Sequence, residues 1–224
     1  WAGRQMPLSR TAKETSLNWR AALAGFVCVG LPGLFVLAPL VFAEQAVDLG
    51  HVWRATLAFA VFSALSGCVY LLNDLVDVEQ DRQHPTKRMR PIASGALPIN
   101  VARTALAVIL VGTIAVSFVA FQASFVAVGL AYFTLNVAYS FALKHVPFLD
   151  VACIATGFLL RIIGGAAAVS VPITTWILAT TFLLALTLAL GKRKHEILQA
   201  GEKKKEQRKV LARYDLAHVT WAMT

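Results

Sequence analysis

The stretch NDLVDVEQDRQHPTKRMRPIASG occupies residues 73–95. It holds four acidic residues, four Lys or Arg and one His. On either side, residues 53–72 and 97–118 are predominantly apolar. Each flank supplies the roughly 20 apolar residues that a helix needs to cross a bilayer. Only a helix or a closed barrel satisfies its backbone in lipid, so a charged loop between two such runs reads as the surface loop of a polytopic helical bundle. The expected fold is all-α and membrane-integral.

Working outward, four further runs qualify as spans: 21–43, 122–142, 148–169 and 172–191. The first is too long for a signal peptide and shows no small-residue cleavage site, so it counts as a span. Composition agrees. The 224 residues are 58% hydrophobic and 15% charged, with mean hydropathy +0.65. Soluble domains are about 45–50% apolar and about 25% charged. The net charge of +9 would suggest a nucleic-acid partner in a soluble chain. Here the basic residues cluster between apolar spans, so no nucleic acid is expected. The charge reads as orientation bias and as attraction for anionic ligands. Cys28, Cys68 and Cys153 lie in apolar runs with no metal or disulfide spacing and read as packing residues.

Lys and Arg fall in alternate connections. Arg4, Arg10, Lys13 and Arg20 precede the first span, Lys144 follows the fourth, and a basic tract from Lys192 to Arg213 follows the sixth. The turns after spans one, three and five are nearly free of them. One alternation fits: N-terminus inside, three helical hairpins, and every charged loop cytoplasmic, in a cell membrane. The chain then divides into a cytoplasmic segment 1–20, a transmembrane domain 21–191 carrying the loop 73–95, and a basic cytoplasmic region 192–224 whose end, LAHVTWAMT, opens a further span. The basic tract also reads as a helix lying on anionic membrane lipid. Trp19, Trp53 and Trp176 are expected as interface anchors, and Pro32 as a kink in the first span. A homo-oligomer stays open.

Asp74, Asp77 and Asp81 recur at i, i+3 and i+7, which is one face of a helix. Asn73 adds an amide oxygen. Three carboxylates in one small volume repel, and a divalent cation removes the conflict. Mg²⁺ favours such oxygen donors and is commonly bridged by substrate phosphates. Arg82, Lys87, Arg88 and Arg90 follow at once and suit the remaining faces of a diphosphate. Pro85 and Pro91 break any helix there, and Ser94–Gly95 open the next span, where free N–H groups meet an anion. The competing reading is a solvated loop with internal ion pairs.

Asp150 and Arg161 stand eleven residues apart, about three helical turns, on the side that also carries Gly157, Gly164 and Ala168. Small residues mark close helix packing. Asp150 is expected near the cytoplasmic rim of the site. Arg161 either supports it or meets a phosphate from deeper in, unless a neighbouring helix simply neutralises it. Lys192 and Arg193 end the sixth span, where cations are favourable with or without a phosphate. His84 and His145 read as loop residues rather than ligands.

The 73–95 string resembles the first aspartate-rich motif of the UbiA superfamily of intramembrane prenyltransferases, N-D-x-x-D-x-x-x-D. Its extension DRQHPTKRMRPIASG is similar to the decaprenyl-phosphate phosphoribosyltransferase branch. The likeness continues through AYSFALKHVPFLDV (138–151), GFLLRIIGGAAA (157–168) and GKRKHEI (191–197). It implies a Mg²⁺-dependent enzyme that moves phosphoribose from 5-phosphoribosyl diphosphate to a polyprenyl phosphate, for bacterial cell-wall synthesis. It implies that Asp74, Asp77 and Asp81 hold the metal and diphosphate, and that Lys87, Arg88, Arg90, Tyr139 and Lys144 bind phosphate. It also implies about nine helices, of which six are visible, so a C-terminal truncation is expected.

Two departures stand out. Superfamily members using polyprenyl diphosphates carry a second acidic motif after the sixth span. The matching region here, GKRKHEILQAGEKKKEQRKVLARYD, is strongly basic, which favours one diphosphate and one bare phosphate. The Arg-Pro-x-x-Trp-x-Lys-Asn string usual at the first span is replaced by FVCVGLPG (26–33), without its basic contact. The runner-up function is prenyl transfer from a polyprenyl diphosphate to an aromatic acceptor. A transporter or lipid-binding subunit is the third, and it predicts charge along several spans.

Overall fold

The computed structural model describes residues 32–42, 48–85, 87–200 and 214, with side chains of the last helix described through 198. The segment 1–20, most of the first expected span, Trp19, Cys28 and all of the 201–224 region except Tyr214 lie outside the described residues. The helices are α1 (Ala38–Phe42), α2 (Leu49–Val76), α3 (Val78–Gln83), α4 (Ile99–Ala120), α5 (Ala123–Phe141), α6 (Leu149–Val169) and α7 (Thr175–Ala200). Short 3-10 turns cover Leu34–Leu37, Lys87–Met89 and Leu143–His145. No strand occurs among the described residues.

Five helices, α2 and α4 to α7, are long and apolar enough to cross a membrane. They coincide with the second to sixth expected spans, but their ends differ. Helix α2 continues to Val76 rather than 72, and α7 continues to Ala200 rather than 191. Hydropathy marks the lipid-buried part of a helix, whereas backbone hydrogen bonding carries it on into water. Lys192 and Arg193 therefore lie within α7 and do not end it. Asp48 starts α2 by accepting from the N–H groups of Gly50 (2.7 Å) and His51 (3.2 Å), the ordinary N-cap arrangement.

The helices alternate in direction, so their connections gather at two ends. One end holds the end of α2, α3, the loop to α4, the α5–α6 turn and the last turns of α7. At the other, Gln122 donates to Ser170 (3.1 Å), and Arg54 donates to the Ala168 carbonyl (2.9 Å). Trp53 and Trp176 lie in the first turns of helices at this second end and are exposed.

The core is built around Phe62, whose ring meets Phe125 and Tyr132, with Val36, Leu65 and Ala168 packed beside it. The described part of the first span is a 3-10 turn followed by the short α1. It settles directly on α6. A Cβ added at Gly165 would overlap the Val36 carbonyl, and one at Gly164 would overlap the Phe62 ring. The small-residue side of this helix is thus a close-packing face. Because Gly165 meets backbone, which cannot swing aside, Gly165→Ala is expected to destabilise by about 1–3 kcal/mol. Gly112→Ala, with nothing within 4 Å, should be neutral or slightly stabilising. Thermal unfolding in detergent reads both.

Candidate functional site at the charged end

Helix α2 ends in a bend at Asp77 (φ −95°, ψ 8°), and α3 follows directly, with one backbone hydrogen bond on either side of the break. The Asp77 N–H donates to the Asn73 carbonyl (2.9 Å), and the Asp81 N–H donates to the Asp77 carbonyl (2.8 Å). Asp74, Asp77 and Asp81 therefore stay on one near-continuous helical path. The loop beyond folds as successive turns, with Arg90 N–H to Lys87 O (2.9 Å), Ser94 N–H to Arg90 O (2.8 Å) and Leu97 N–H to Pro91 O (2.9 Å). Gly95, at φ +80°, takes the left-handed position that ends this series. Ile92 and Ala93 are buried and hold the loop against the bundle.

This folding brings the basic half back onto the acidic half. Arg90 Nη1 donates to Asp74 Oδ1 (2.9 Å) and to Asp81 Oδ2 (2.8 Å). Lys87 Nζ lies 3.9 Å from Asp81 Oδ1. Lys144, from the α5–α6 turn, donates to both oxygens of Asp77 at 2.6 and 2.8 Å. Asp81 is only 2% exposed, and a carboxylate so buried requires a paired cation. Asp74 lies within electrostatic reach of both Asp77 and Asp81. The repulsion expected among three carboxylates is present, and three cations of the chain balance it. The carboxylates do not form one ligand set in this arrangement: among the described residues no three His, Cys, Asp or Glu are placed to hold a metal. Arg82 turns away, to Glu79 (2.8 Å) and the Ala93 carbonyl (3.4 Å). Arg88 is exposed. Asn73 sits in the last turn of α2.

A second network lies beside the first. Asp150, in the first turn of α6 and fully buried, accepts from Arg193 Nε (2.8 Å) and from the Tyr214 hydroxyl. The same hydroxyl accepts from the Phe148 N–H (2.8 Å). Arg193 also donates to Glu196, one turn on, and lies near Tyr139. Burial first, and the bond to Asp150 next, push the Tyr214 phenol well above its usual range, so it remains a donor. Phe148 itself holds φ +64°, a strained position for a bulky residue that the Tyr214 contact helps to fix. Lys192 is exposed.

Arg161 does not reach Asp150. It lies in the core between α2, α5 and α6. There it donates to the Tyr132 hydroxyl (2.7 Å), Ser66 Oγ (3.3 Å) and the Gly157 carbonyl (3.2 Å), with its guanidinium over the Tyr132 ring. Its Nη1 and Nη2 are thus engaged while the buried Nε has no hydrogen-bond partner among the described residues, and three turns of helix separate it from Asp150. Sequence reasoning passed over Ser66, Tyr132, Tyr214 and the partnership of Glu196. Tyr132 lies two turns before Tyr139 on one face of α5, and Glu196 lies three residues after Arg193, so helical spacing offered a signal for these two.

The chain matches the UbiA prenyltransferase family over residues 29–214. It belongs to that family. It is 34% identical over 193 residues to the decaprenyl-phosphate phosphoribosyltransferase of Corynebacterium glutamicum, covering 85% of this chain and 58% of that protein. It is also 34% identical over 194 residues to the enzyme of the same name from Mycobacterium tuberculosis, covering 85% and 64%. The chain thus spans less than two thirds of the length of either relative. Among solved structures, a UbiA homolog from Archaeoglobus fulgidus, bound to DMAPP and Mg²⁺, matches with a TM-score of 0.69 at 20% identity, over 87% of this chain and 69% of that one. The expected all-α, multi-pass UbiA fold stands on this match and on the five spans. In this UbiA chain the aspartate-rich string supplies the charged end of the bundle, and the YSFALK segment supplies the lysine that closes on it.

Proposed function

We propose that this UbiA-family protein transfers 5-phosphoribose from 5-phosphoribosyl diphosphate to a polyprenyl phosphate of the decaprenyl class and releases diphosphate. The observation that carries this reading is the folding of Arg90, Lys87 and Lys144 onto Asp74, Asp81 and Asp77 at one end of the bundle. In the reaction, a phosphate oxygen of the lipid bonds to the anomeric carbon of the ribose. The bond from that carbon to the diphosphate breaks, and its electron pair leaves with the diphosphate. The nucleophile is already an anion, so no strong general base is needed. The protein's work is to hold two anions together and to stabilise the third.

The donor set fits Mg²⁺ in kind. Asp74, Asp77 and Asp81 with the Asn73 amide are hard oxygen donors, and their present counter-charges sit on flexible side chains able to turn to substrate phosphates. These residues would hold the metal, which when bound supplies charge neutralisation at the leaving diphosphate. Arg88, Arg90, Lys87, Lys144 and Tyr139 contact phosphate oxygens in this reading. Asp150 and Arg193 brace the wall beside Tyr139, Lys192 stays at the rim, and Arg161 fixes the packing beneath. The alternation of Lys and Arg supports a cytoplasmic site in the cell membrane.

The test uses membranes carrying the natural protein, supplied with radiolabelled 5-phosphoribosyl diphosphate, decaprenyl phosphate and Mg²⁺. Label should enter the lipid fraction and be abolished by EDTA. No labelled lipid, in membranes that do transfer a polyprenyl group from its diphosphate to an aromatic acceptor, overturns the proposal in favour of the commoner family chemistry.

A further inference from the structure

The four carboxylates of the 73–95 stretch are all paired with cations of the chain. Asp74, Asp77 and Asp81 face Arg90, Lys87 and Lys144, and Glu79 faces Arg82. Arg103 is outside these pairs. It makes no hydrogen bond or ion pair among the described residues, although it lies one turn inside α4, a helix otherwise suited to lipid. It lines an open cleft together with Arg82, Asn100, Ile92, Leu97 and Ile99. Arg82 is held in place there by Glu79 and the Ala93 carbonyl. Two guanidiniums from different elements thus converge on one concavity with a single carboxylate to offset them.

We propose that this cleft binds the phosphodiester headgroup of an anionic membrane lipid, separately from the substrate site. Depth argues for a lipid rather than free phosphate. Arg103 stands about 6 Å along the helix axis from the start of α4, at the end of a helix long and apolar enough to cross a membrane, and headgroups lie at the ends of such helices. Chemistry argues the same way. Arg103 and Arg82 offer planar donor forks matched to phosphate oxygens, Asn100 offers an amide for a glycerol hydroxyl, and Ile92, Leu97 and Ile99 form an apolar wall for the first acyl carbons. An arginine that merely snorkelled to water would need neither the second guanidinium nor the wall. Because Arg82 follows Asp81 directly, the lipid also braces the loop that carries the acidic residues.

The test is native mass spectrometry of the natural protein released from detergent, titrated separately with phosphatidylglycerol, phosphatidylcholine and inorganic phosphate. Phosphatidylglycerol should be retained about tenfold more tightly than phosphatidylcholine, the scale of one charge-assisted contact. Arg103→Gln should remove that preference, Arg103→Lys should keep part of it, and Arg82→Gln should weaken it. Arg103 is exposed, so unchanged thermal unfolding of its variants confirms that binding, not folding, was altered. Equal retention of the two lipids, an unchanged preference in the Arg82→Gln, Arg103→Gln double variant, or tighter binding of inorganic phosphate than of phosphatidylglycerol would each overturn the assignment.

Discussion

Replacing Arg193 by Met is expected to cost about 3–5 kcal/mol of folding stability, the usual penalty for stranding one partner of a buried ion pair. The side chains of Asp150 and Arg193 are 0% and 3% exposed. Without the guanidinium, Asp150 keeps, among the described residues, the Tyr214 hydroxyl as its one close side-chain donor. The double variant Asp150→Leu, Arg193→Met should recover much of the loss, because it buries no unpaired charge. Thermal unfolding of wild type, single and double variants in one detergent measures this. A substrate-phosphate role for Arg193 gives a different pattern: stability barely changed and a KM for the phosphoribosyl donor raised at least about tenfold.

Asp77→Ala is expected to lower turnover by at least about 10²-fold while leaving the fold intact. Asp77 is 27% exposed and its partner Lys144 is 17% exposed, so the lysine can turn to water, and losing this part-buried pair should cost less stability than breaking a fully buried one. Asp81→Asn makes a useful contrast. Asp81 is buried against Arg90, so its loss should reduce stability and turnover together. If Asp77→Ala kept near wild-type turnover over a range of Mg²⁺ concentrations, the metal reading of the acidic face would fail. Isotope transfer into lipid and a melting curve on the same preparations separate chemistry from folding.

The acidic loop was legible because charge beside lipid is costly and therefore conspicuous, and because a helical register survives as a spacing of three and four residues. The same register drew Asp74, Asp77 and Asp81 together on paper. It could not show that Arg90, nine residues beyond Asp81, would curl back between two of them, since that depends on the turns around Pro91 and Gly95. Arg161 was visible as an intramembrane cation, yet its partners were not. Ser66 and Tyr132 sit within apolar runs and meet it only through the packing of three helices. Tyr214 is 64 residues from Asp150, and no local pattern joins them. The tract after residue 191 itself reads as helical, and what hydropathy could not show is that it continues the sixth span as one helix to Ala200, since lysine and glutamate sustain a helix in water as well as leucine does in lipid.

The seat of Val36 on Gly165 also sets an order of events during synthesis. The segment around Val36 emerges early, but its docking surface is made roughly 130 residues later, on the order of ten seconds at ordinary translation rates. Until then this piece has only its contacts with α2, around Phe59 and Phe62, to hold it. It must wait in the bilayer or in the care of the insertion machinery, and the bundle can close around it only after the Gly164–Gly165 helix has arrived. Final assembly is therefore tied to a contact of long sequence separation.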